Sequence, residues 1–384
     1  MSESRSFGNY LDFVAQYSIF SLNEVPFLDA DSIVFSAISY FPFEKLVPVN
    51  DKFRPELLGS LCEKWVSSFD VRTKDYSITP DLALAMKLML SLRYSQILVE
   101  DISYVFADDV QFCSMTLILP DDTFLIVYRG TDFTINGWVE NFNLMVSSNL
   151  TCHNFAKSSL LKAMKKHPKT KFRLAGHSKG GNLAVVASSS LSEKENPYLL
   201  NVYSLDGVGS LKDVFESPGH ERIKERIVKM VPEDDIVGGL LYAEPNSYVL
   251  KTATPKDFIS SHFLQNWIID DGQIRKAASQ TEMSCVVTMA LNELALVTLD
   301  TDEKKKAVSQ AIGMTLIDTG IRDAQVIFDN PVAFLNKFVQ TARKDPTIRK
   351  AMFGSIREVI NAFRKSHAVV HKNFIEEKKA INRG

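Results

Sequence analysis

The stretch FRLAGHSKGGNLAVVA, residues 172–187, decides the fold of this 384-residue chain. Its opening run, Phe172 to Ala175, predicts a β-strand, and Gly181 followed by Leu183 to Ala187 predicts a closely packed helix. Between them, residues 176–180 match G-x-S-x-G, the pattern in which a sharp strand-to-helix turn lifts a serine hydroxyl above a sheet. Ser178 is therefore the candidate nucleophile, and the alternative is a glycine-rich turn with an incidental serine.

Strands and helices alternate around this stretch. The runs 115–119 and 123–128 are rich in β-branched and aromatic residues, and the Pro-Asp-Asp turn between them predicts a hairpin. We further expect strands near 172–175, 202–205, 227–231 and 248–252, and helices at about 155–166, 182–192 and 219–226. This alternation predicts a mainly parallel sheet covered on both faces, an α/β-hydrolase fold. The first hundred residues predict short helices rather than strands, including one from Pro80 to Leu92.

The end of the chain has a different pattern. Strand signals stop at about residue 275, and several helices are predicted beyond it, with breaks near 300–302, 330–331 and 345–346. We therefore expect an α/β-hydrolase domain over residues 1–275, which includes the N-terminal helices, and a C-terminal helical region over residues 276–384.

A serine hydroxyl is a poor nucleophile unless a histidine, oriented by a carboxylate, accepts its proton. In α/β-hydrolases the acid and then the histidine follow the serine along the chain. Four histidines follow Ser178. His367 and His371 lie in the basic tail and His220 precedes the best acid, which leaves His262 as the candidate base.

The acid should lie just after a strand. The predicted strand at 228–231 is followed by Pro-Glu-Asp-Asp, so Asp235 is the leading candidate. Asp234 is adjacent and is a second option, and Asp206, at the end of the preceding strand, is a third.

Attack on a carbonyl places negative charge on oxygen, which backbone N–H groups must stabilise. One such donor is the amide of the residue after the nucleophile, Lys179. The second should come from a loop after an early strand, and Thr131, directly after the predicted hairpin, offers both an amide and a hydroxyl. The alternative is that residues 129–131 form only a turn.

These motifs resemble those of a known group of enzymes. Class 3 lipases combine an R-G-[ST] oxyanion segment, a following Asn-Trp, a G-H-S-x-G-G elbow and an Asp-x-Val acid segment. The matching parts of this chain are residues 127–131, Trp138, the G-H-S-K-G-G run and residues 235–237. The chain departs from that pattern at Asn141, where class 3 lipases usually carry aspartate, and at Lys179, where an apolar residue is more usual.

The arrangement resembles the bacterial Mbeg-like proteins, an α/β-hydrolase-like family, more closely still. Residues 9–13, 31–40 and 237–241 fit that family, and the resemblance covers roughly residues 7–270. This second resemblance implies an α/β-hydrolase-like fold, and the class 3 lipase motifs imply lipase-like chemistry at Ser178.

Two functions follow from these residues. The first is a serine hydrolase that cleaves an acyl ester or lipid through a covalent intermediate on Ser178. The second is a catalytically weak or inactive hydrolase fold that serves as a binding module, because fold and function are separable. The four cysteines are scattered, and nucleotide-binding and H-E-x-x-H motifs do not occur. We therefore expect no cofactor, no metal and no nucleic-acid partner.

Localisation and membrane contact depend on the two ends of the chain. The first twenty residues contain Glu3, Arg5 and Asp12 and lack the apolar run of a secretory signal, so we expect a cytoplasmic protein with free thiols. Residues 343–384 hold eleven Lys/Arg against four Asp/Glu, a net charge of +7. Apolar residues recur there at spacings of three and four: Ile348, Met352, Ile356, Val359, Ile360 and Phe363. Such a helix either docks on its own protein or contacts an anionic membrane.

Overall fold

The computed structural model of the chain describes residues 8–69, 78–107, 110–132, 135–244, 247–254, 258–298, 301–319, 336–337, 340–341 and 356–381. Its centre is an eight-stranded sheet in which the strands lie in chain order. The strands of this sheet are β1 (Glu56–Leu57), β2 (Leu98–Ala107), β3 (Val110–Ile118), β4 (Phe124–Tyr128), β5 (Phe172–His177), β6 (Leu199–Leu205), β7 (Ile227–Pro232) and β8 (Tyr248–Leu250). A separate two-stranded ribbon pairs β9 (Ile269–Asp270) with β10 (Gln273–Ile274).

The strands β1 to β4 pair antiparallel, and β4 to β8 pair parallel. The predicted hairpin is confirmed as β3 and β4, with Met115 opposite Val127. Because β4 to β8 run in the same direction, their carboxyl ends meet at one edge of the sheet. Loops at that edge can bring together residues that are far apart in the chain.

Both faces of the sheet are covered, as the pattern of β4 shows. Leu125 and Val127 belong to one hydrophobic cluster, whereas Phe124, Ile126 and Tyr128 belong to the other. Side chains of a strand alternate between its faces, so a strand that is buried throughout must be covered by helices on each side. The predicted fold class, an α/β-hydrolase fold, is confirmed.

The described helices pack on these two faces and beyond the last strands. Helices of the N-terminal part contribute to the first cluster, and those between the parallel strands to the second. The helices are α1 (Tyr10–Tyr17), α2 (Asp29–Ile38), α3 (Leu58–Ser67), α4 (Pro80–Leu90), α5 (Ile135–Leu144), α6 (Thr151–Lys166), α7 (Lys179–Ser189), α8 (Lys212–Phe215), α9 (Pro218–Ile223), α10 (Phe258–His262), α11 (Glu282–Asn292), α12 (Asp302–Asp318) and α13 (Ile356–Ile381).

One expectation from the sequence is wrong. The first hundred residues were expected to lack strands, but β1 and the start of β2 lie there. In β2 the partly buried Glu100 bonds His167 at 2.6 Å and Asp101 bonds Lys162 at 2.9 Å. These charged residues interrupt the apolar alternation by which a strand is recognised in a sequence.

Two helices of the C-terminal helical region contact each other. In α13, Lys365 forms an ion pair with Glu293, the residue after α11, at 2.9 Å, and His371 lies 2.6 Å from the carboxyl of Glu282 in α11. Its buried residues recur every four positions: Ala362, Ser366 and Val370. The division of the chain at residue 275 stays a prediction.

The amphipathic face predicted for the tail lies only partly within the described residues. Ile348, Met352, Arg349 and Lys350 fall outside them, and Phe363 is 39% exposed. Within the described part of the chain, every helix is too short or too polar to cross a membrane. Contact with an anionic membrane surface stays a prediction.

Candidate active site

Ser178 lies in a tight turn between β5 and α7. Its backbone has φ 57° and ψ −127°, a conformation that costs energy for a residue with a side chain. The turn is held against the end of β6, because the Ser178 amide donates to the Leu205 carbonyl at 2.9 Å. A Cβ atom at Gly176 would lie 2.3 Å from the Gly180 backbone, and one at Gly180 would lie 2.1 Å from the Tyr128 carbonyl oxygen. The two glycines of the motif are therefore required by close backbone contacts.

Two carboxylates meet one imidazole at the carboxyl edge of the sheet. Asp206 directly follows β6, Asp235 follows β7 after a short turn, and His262 is the last residue of α10. The His262 Nδ1 atom is 2.6 Å from Asp206 Oδ2 and 2.8 Å from Asp235 Oδ2. Asp234 is buried but is not a partner of this ring. Two of the three acid candidates thus contact the candidate base.

The charges of this group are set by burial and by one another. Burial, the charge of Asp235 and a hydrogen bond between the two carboxyls raise the pKa of Asp206 well above its ordinary value. Burial also acts to raise the pKa of Asp235, but the charge of His262 and hydrogen bonds from Asp206, His262 and the Val237 amide hold it below the ordinary range. These opposite shifts favour the state of the pair in which Asp206 holds the proton and Asp235 carries the negative charge.

The same contacts act on His262. Burial acts to lower the pKa of its ring, but the charge of Asp235 and the hydrogen bonds to both carboxyls raise it above the ordinary value. Within the described residues, the ring bonds these two carboxyls and makes no hydrogen bond to Ser178. Contacts of this kind are often long in the free enzyme and tighten when substrate binds.

His177 connects the turn of Ser178 to His262. The two imidazole rings lie 4.5 Å apart, and His177 Nε2 is 2.8 Å from the His262 carbonyl oxygen. Because a carbonyl only accepts, Nε2 of His177 carries the proton and Nδ1 accepts from the Tyr40 hydroxyl at 2.9 Å. Burial and the charge of His262 lower the pKa of His177 to about 3, so its ring is neutral. His177 thus holds the backbone of the candidate base beside the candidate nucleophile.

The two oxyanion candidates are both attached to helix α5. Thr131 lies just beyond β4, and its hydroxyl donates to Asn141 Oδ1 at 2.6 Å. The Lys179 side chain is fully buried, donates to the Gln111 carbonyl at 2.6 Å and forms an ion pair with Glu140. The Lys179 amide is in the first turn of α7, where N–H groups lack a partner within the helix.

The site also contains residue types that bind metal ions. Among the described residues, Asp206, Asp235 and His262 each place one ligand atom within 4.8 Å of the others. Tetrahedral Zn²⁺ with bonds of 2.0–2.1 Å separates its ligand atoms by about 3.3 Å. The observed separations of 2.6 and 2.8 Å from Nδ1 are those of hydrogen bonds instead. The residues fit a hydrogen-bonded group better than a zinc site.

Comparison with solved structures gives distant matches, among them two lipases. A native Rhizomucor miehei lipase propeptide complex is 14% identical, with 64% of this chain and 81% of that chain covered and a TM-score of 0.35. MDLA from Penicillium cyclopium, in a mutant form, is 11% identical over 70% and 88%, with a TM-score of 0.37. Lip2 lipase from Yarrowia lipolytica is 11% identical over 55% and 83%, with a TM-score of 0.34. Scores of this size carry no weight for function.

Sequence relationships are more informative. No curated protein matches the chain. The family model described as Mbeg1-like, in contrast, matches residues 88–312, more than half of the 384 residues. The resemblance found in the sequence is thereby confirmed, and the chain belongs to the Mbeg1-like family.

Proposed function

We propose that the protein is a serine hydrolase that cleaves an acyl ester or lipid through a covalent intermediate on Ser178. The observation that carries this proposal is the position of His262. Its ring lies 4.5 Å from the ring of His177, the residue before Ser178, and its Nδ1 atom faces the carboxylate of Asp235. A histidine held in this way can accept a proton on its other nitrogen, Nε2.

The reaction would proceed in two halves. Ser178 Oγ attacks the ester carbonyl carbon while His262 Nε2 takes the hydroxyl proton, and the oxygen that gains charge accepts from the Lys179 and Thr131 amides. The tetrahedral intermediate then releases the alcohol, which takes the proton from His262. Water repeats these steps on the acyl-serine, releases the carboxylic acid and restores Ser178. Asp235 orients the imidazole and stabilises its charged form.

A fluorophosphonate probe tests this proposal without knowledge of the substrate, because it reacts with activated serines. We expect the native protein to be labelled and the Ser178→Ala variant to remain unlabelled. Ser204→Ala is a suitable control, since Ser204 is a buried serine of β6 outside the turn. Labelling that persists without Ser178 would contradict the proposal.

The second candidate function is a binding module on an inactive hydrolase fold. The observation in its favour is that no hydrogen bond joins Ser178 to His262 within the described residues. The same probe distinguishes the two functions, because a binding module would leave the native protein unlabelled even at long reaction times.

The Thr131 side chain provides a test of the oxyanion assignment. Its hydroxyl proton is directed to Asn141, so the amide of Thr131 is the group free to serve an oxyanion. We expect Thr131→Val to slow acylation by less than about tenfold, whereas removal of a true oxyanion donor costs about 10²–10³. Rates of acylation by an activated ester measure this effect. A loss of a hundredfold or more would assign the hydroxyl to the oxyanion site.

We also propose a cytoplasmic location and a peripheral contact with anionic membranes. The four cysteines are free, which fits a reducing compartment. In α13, Lys372 is largely exposed, and each Lys or Arg near an anionic surface contributes about 1 kcal/mol. Such a contact would bring a lipase-like site close to its substrate.

A further inference from the structure

Helix α11 presents a polar stripe to the loop that follows β7. Ser284, Thr288 and Asn292 are spaced by four residues, so they share one face of the helix. Each donates to a backbone carbonyl of that loop: Ser284 Oγ to Asp235 at 2.9 Å, Thr288 Oγ1 to Ile236 at 3.4 Å, and Asn292 Nδ2 to Gly239 at 2.9 Å. The helix therefore follows the backbone of the loop over five residues.

The carbonyl of Asp235 accepts hydrogen bonds from two side chains. Besides Ser284, the side chain of Gln280 donates to the same oxygen at 2.8 Å. Ser284 is fully buried, and among the described residues its hydroxyl donates to this carbonyl of the loop. Next to it, the Thr281 amide donates to the Glu233 carbonyl at 2.8 Å. The loop is thus held on both sides of Asp235.

The backbone of this loop in turn holds both carboxyls at His262. Asp235 Oδ1 accepts from the Val237 amide at 2.8 Å, and the Gly238 amide donates to Asp206 Oδ1 at 2.9 Å. A shift of the loop must therefore move the carboxyl groups relative to the imidazole. The N–H groups that orient the two acids belong to the loop after β7. Side chains of α11 hold this same loop by donating to its backbone carbonyls.

We propose that Ser284 and Gln280 are positioning residues for the triad acid: by holding the Asp235 carbonyl they keep its carboxylate against His262. This inference rests on the proposed function of Ser178, Asp235 and His262. It gives the start of the C-terminal helical region a part in the active site. Ser284 and Gln280 act through Asp235.

Two variants test the positioning role by kinetics. Ser284→Ala removes one donor, and Ser284→Ala with Gln280→Ala removes both. A misplacement of about 1 Å at a catalytic group lowers turnover by up to about 10²-fold, so we expect kcat to fall tenfold or more in the double variant. The KM should change little, because both side chains donate to the backbone carbonyl of Asp235 and act on its carboxylate only indirectly. Gln280→Ala alone serves if the loss of Ser284 prevents folding, since Gln280 is only partly buried.

A second measurement does not depend on activity. The His262 ring can be titrated by nitrogen-15 NMR, and among the described residues the ionisable groups that face it are His177, Asp206 and Asp235. Because Asp235 raises the pKa of His262, a displaced carboxylate should lower the titration midpoint in the double variant. If the midpoint falls in the double variant while fluorophosphonate does not label the native protein, the proposed hydrolase function is rejected and the positioning role remains.

Ser159→Ala is the matched control. Ser159 is also a buried serine that donates to a backbone carbonyl, that of Ala156 at 2.9 Å, but it lies in α6. We expect a similar loss of thermal stability with kcat and the His262 titration unchanged. If the double variant at Ser284 and Gln280 folds and keeps the native kcat and the native midpoint, the positioning role is disproved.

Discussion

Ser178→Ala and His262→Ala are each expected to lower kcat by about 10⁶-fold, and the double variant should be no slower than either single one. The reason is that proton transfer joins the two residues into one unit. Without the histidine the hydroxyl keeps its proton, and without the hydroxyl the histidine has no proton to accept. Chromogenic esters of graded acyl length measure kcat and also identify the preferred chain length.

His220→Gln provides a demanding control for this expectation. His220 also follows Ser178 in the chain, is buried, and bonds a carboxylate, with Nε2 2.9 and 3.0 Å from the two oxygens of Glu244. Its neighbour Gly219 packs on the Ser189 carbonyl, at the far end of α7 and therefore roughly 16 Å from Ser178. The variant should lose stability but keep its turnover per folded molecule. Losses at Ser178 and His262 that multiply in the double variant would disprove the proposed proton transfer.

Much of the fold can be predicted from the sequence because its strong elements depend on local patterns. The parallel strands are buried on both faces and occur as short apolar runs, and each is bounded by turn residues. The strand β2 was not predicted because Glu100 and Asp101 interrupt its apolar pattern. Their partners are Lys162 and Lys166 of helix α6 and His167, the residue after that helix. Because these partners are about 60 residues away in the chain, the local sequence around β2 gives no indication of them.

The candidate site divides in the same way. Ser178 and His262 could be found from a local motif and from chain order, and the structure places His262 next to the turn of Ser178. The roles of His177 and Glu140 could not be found, because Tyr40 and Lys179, their partners, are distant in the sequence. The only signal for Glu140 was Lys179 itself, a charged residue at a position that is usually apolar.

The choice between the acids also exceeds what the sequence can decide, and it leads to the second large effect. Asp235→Asn should lower kcat by about 10⁴-fold, because the amide removes the charge that stabilises the imidazolium and favours the wrong tautomer. Asp206→Asn should lower it by no more than about tenfold. The raised pKa of Asp206 favours its protonated form, which an amide, also neutral and a hydrogen-bond donor, replaces closely.

The pH dependence of kcat/KM separates the two acids further, because His262 must be neutral to accept the proton of Ser178. Its pKa is raised in the native protein, so activity should increase with pH into the alkaline range. Asp235→Asn removes the charge that raises this pKa. The acid limb of the kcat/KM profile, where activity rises with pH, should therefore move to lower pH, and the maximum value of kcat/KM should fall. Asp206→Asn should move the acid limb less than Asp235→Asn does, because it removes a hydrogen bond to the ring but leaves the charge of Asp235 in place. Asp234→Asn should change neither limb nor maximum, because the two carboxyl partners of the ring are Asp206 and Asp235. If Asp206→Asn instead proves the slower variant and moves the acid limb further than Asp235→Asn does, Asp206 is the charged acid of the triad and Asp235 is its neutral partner.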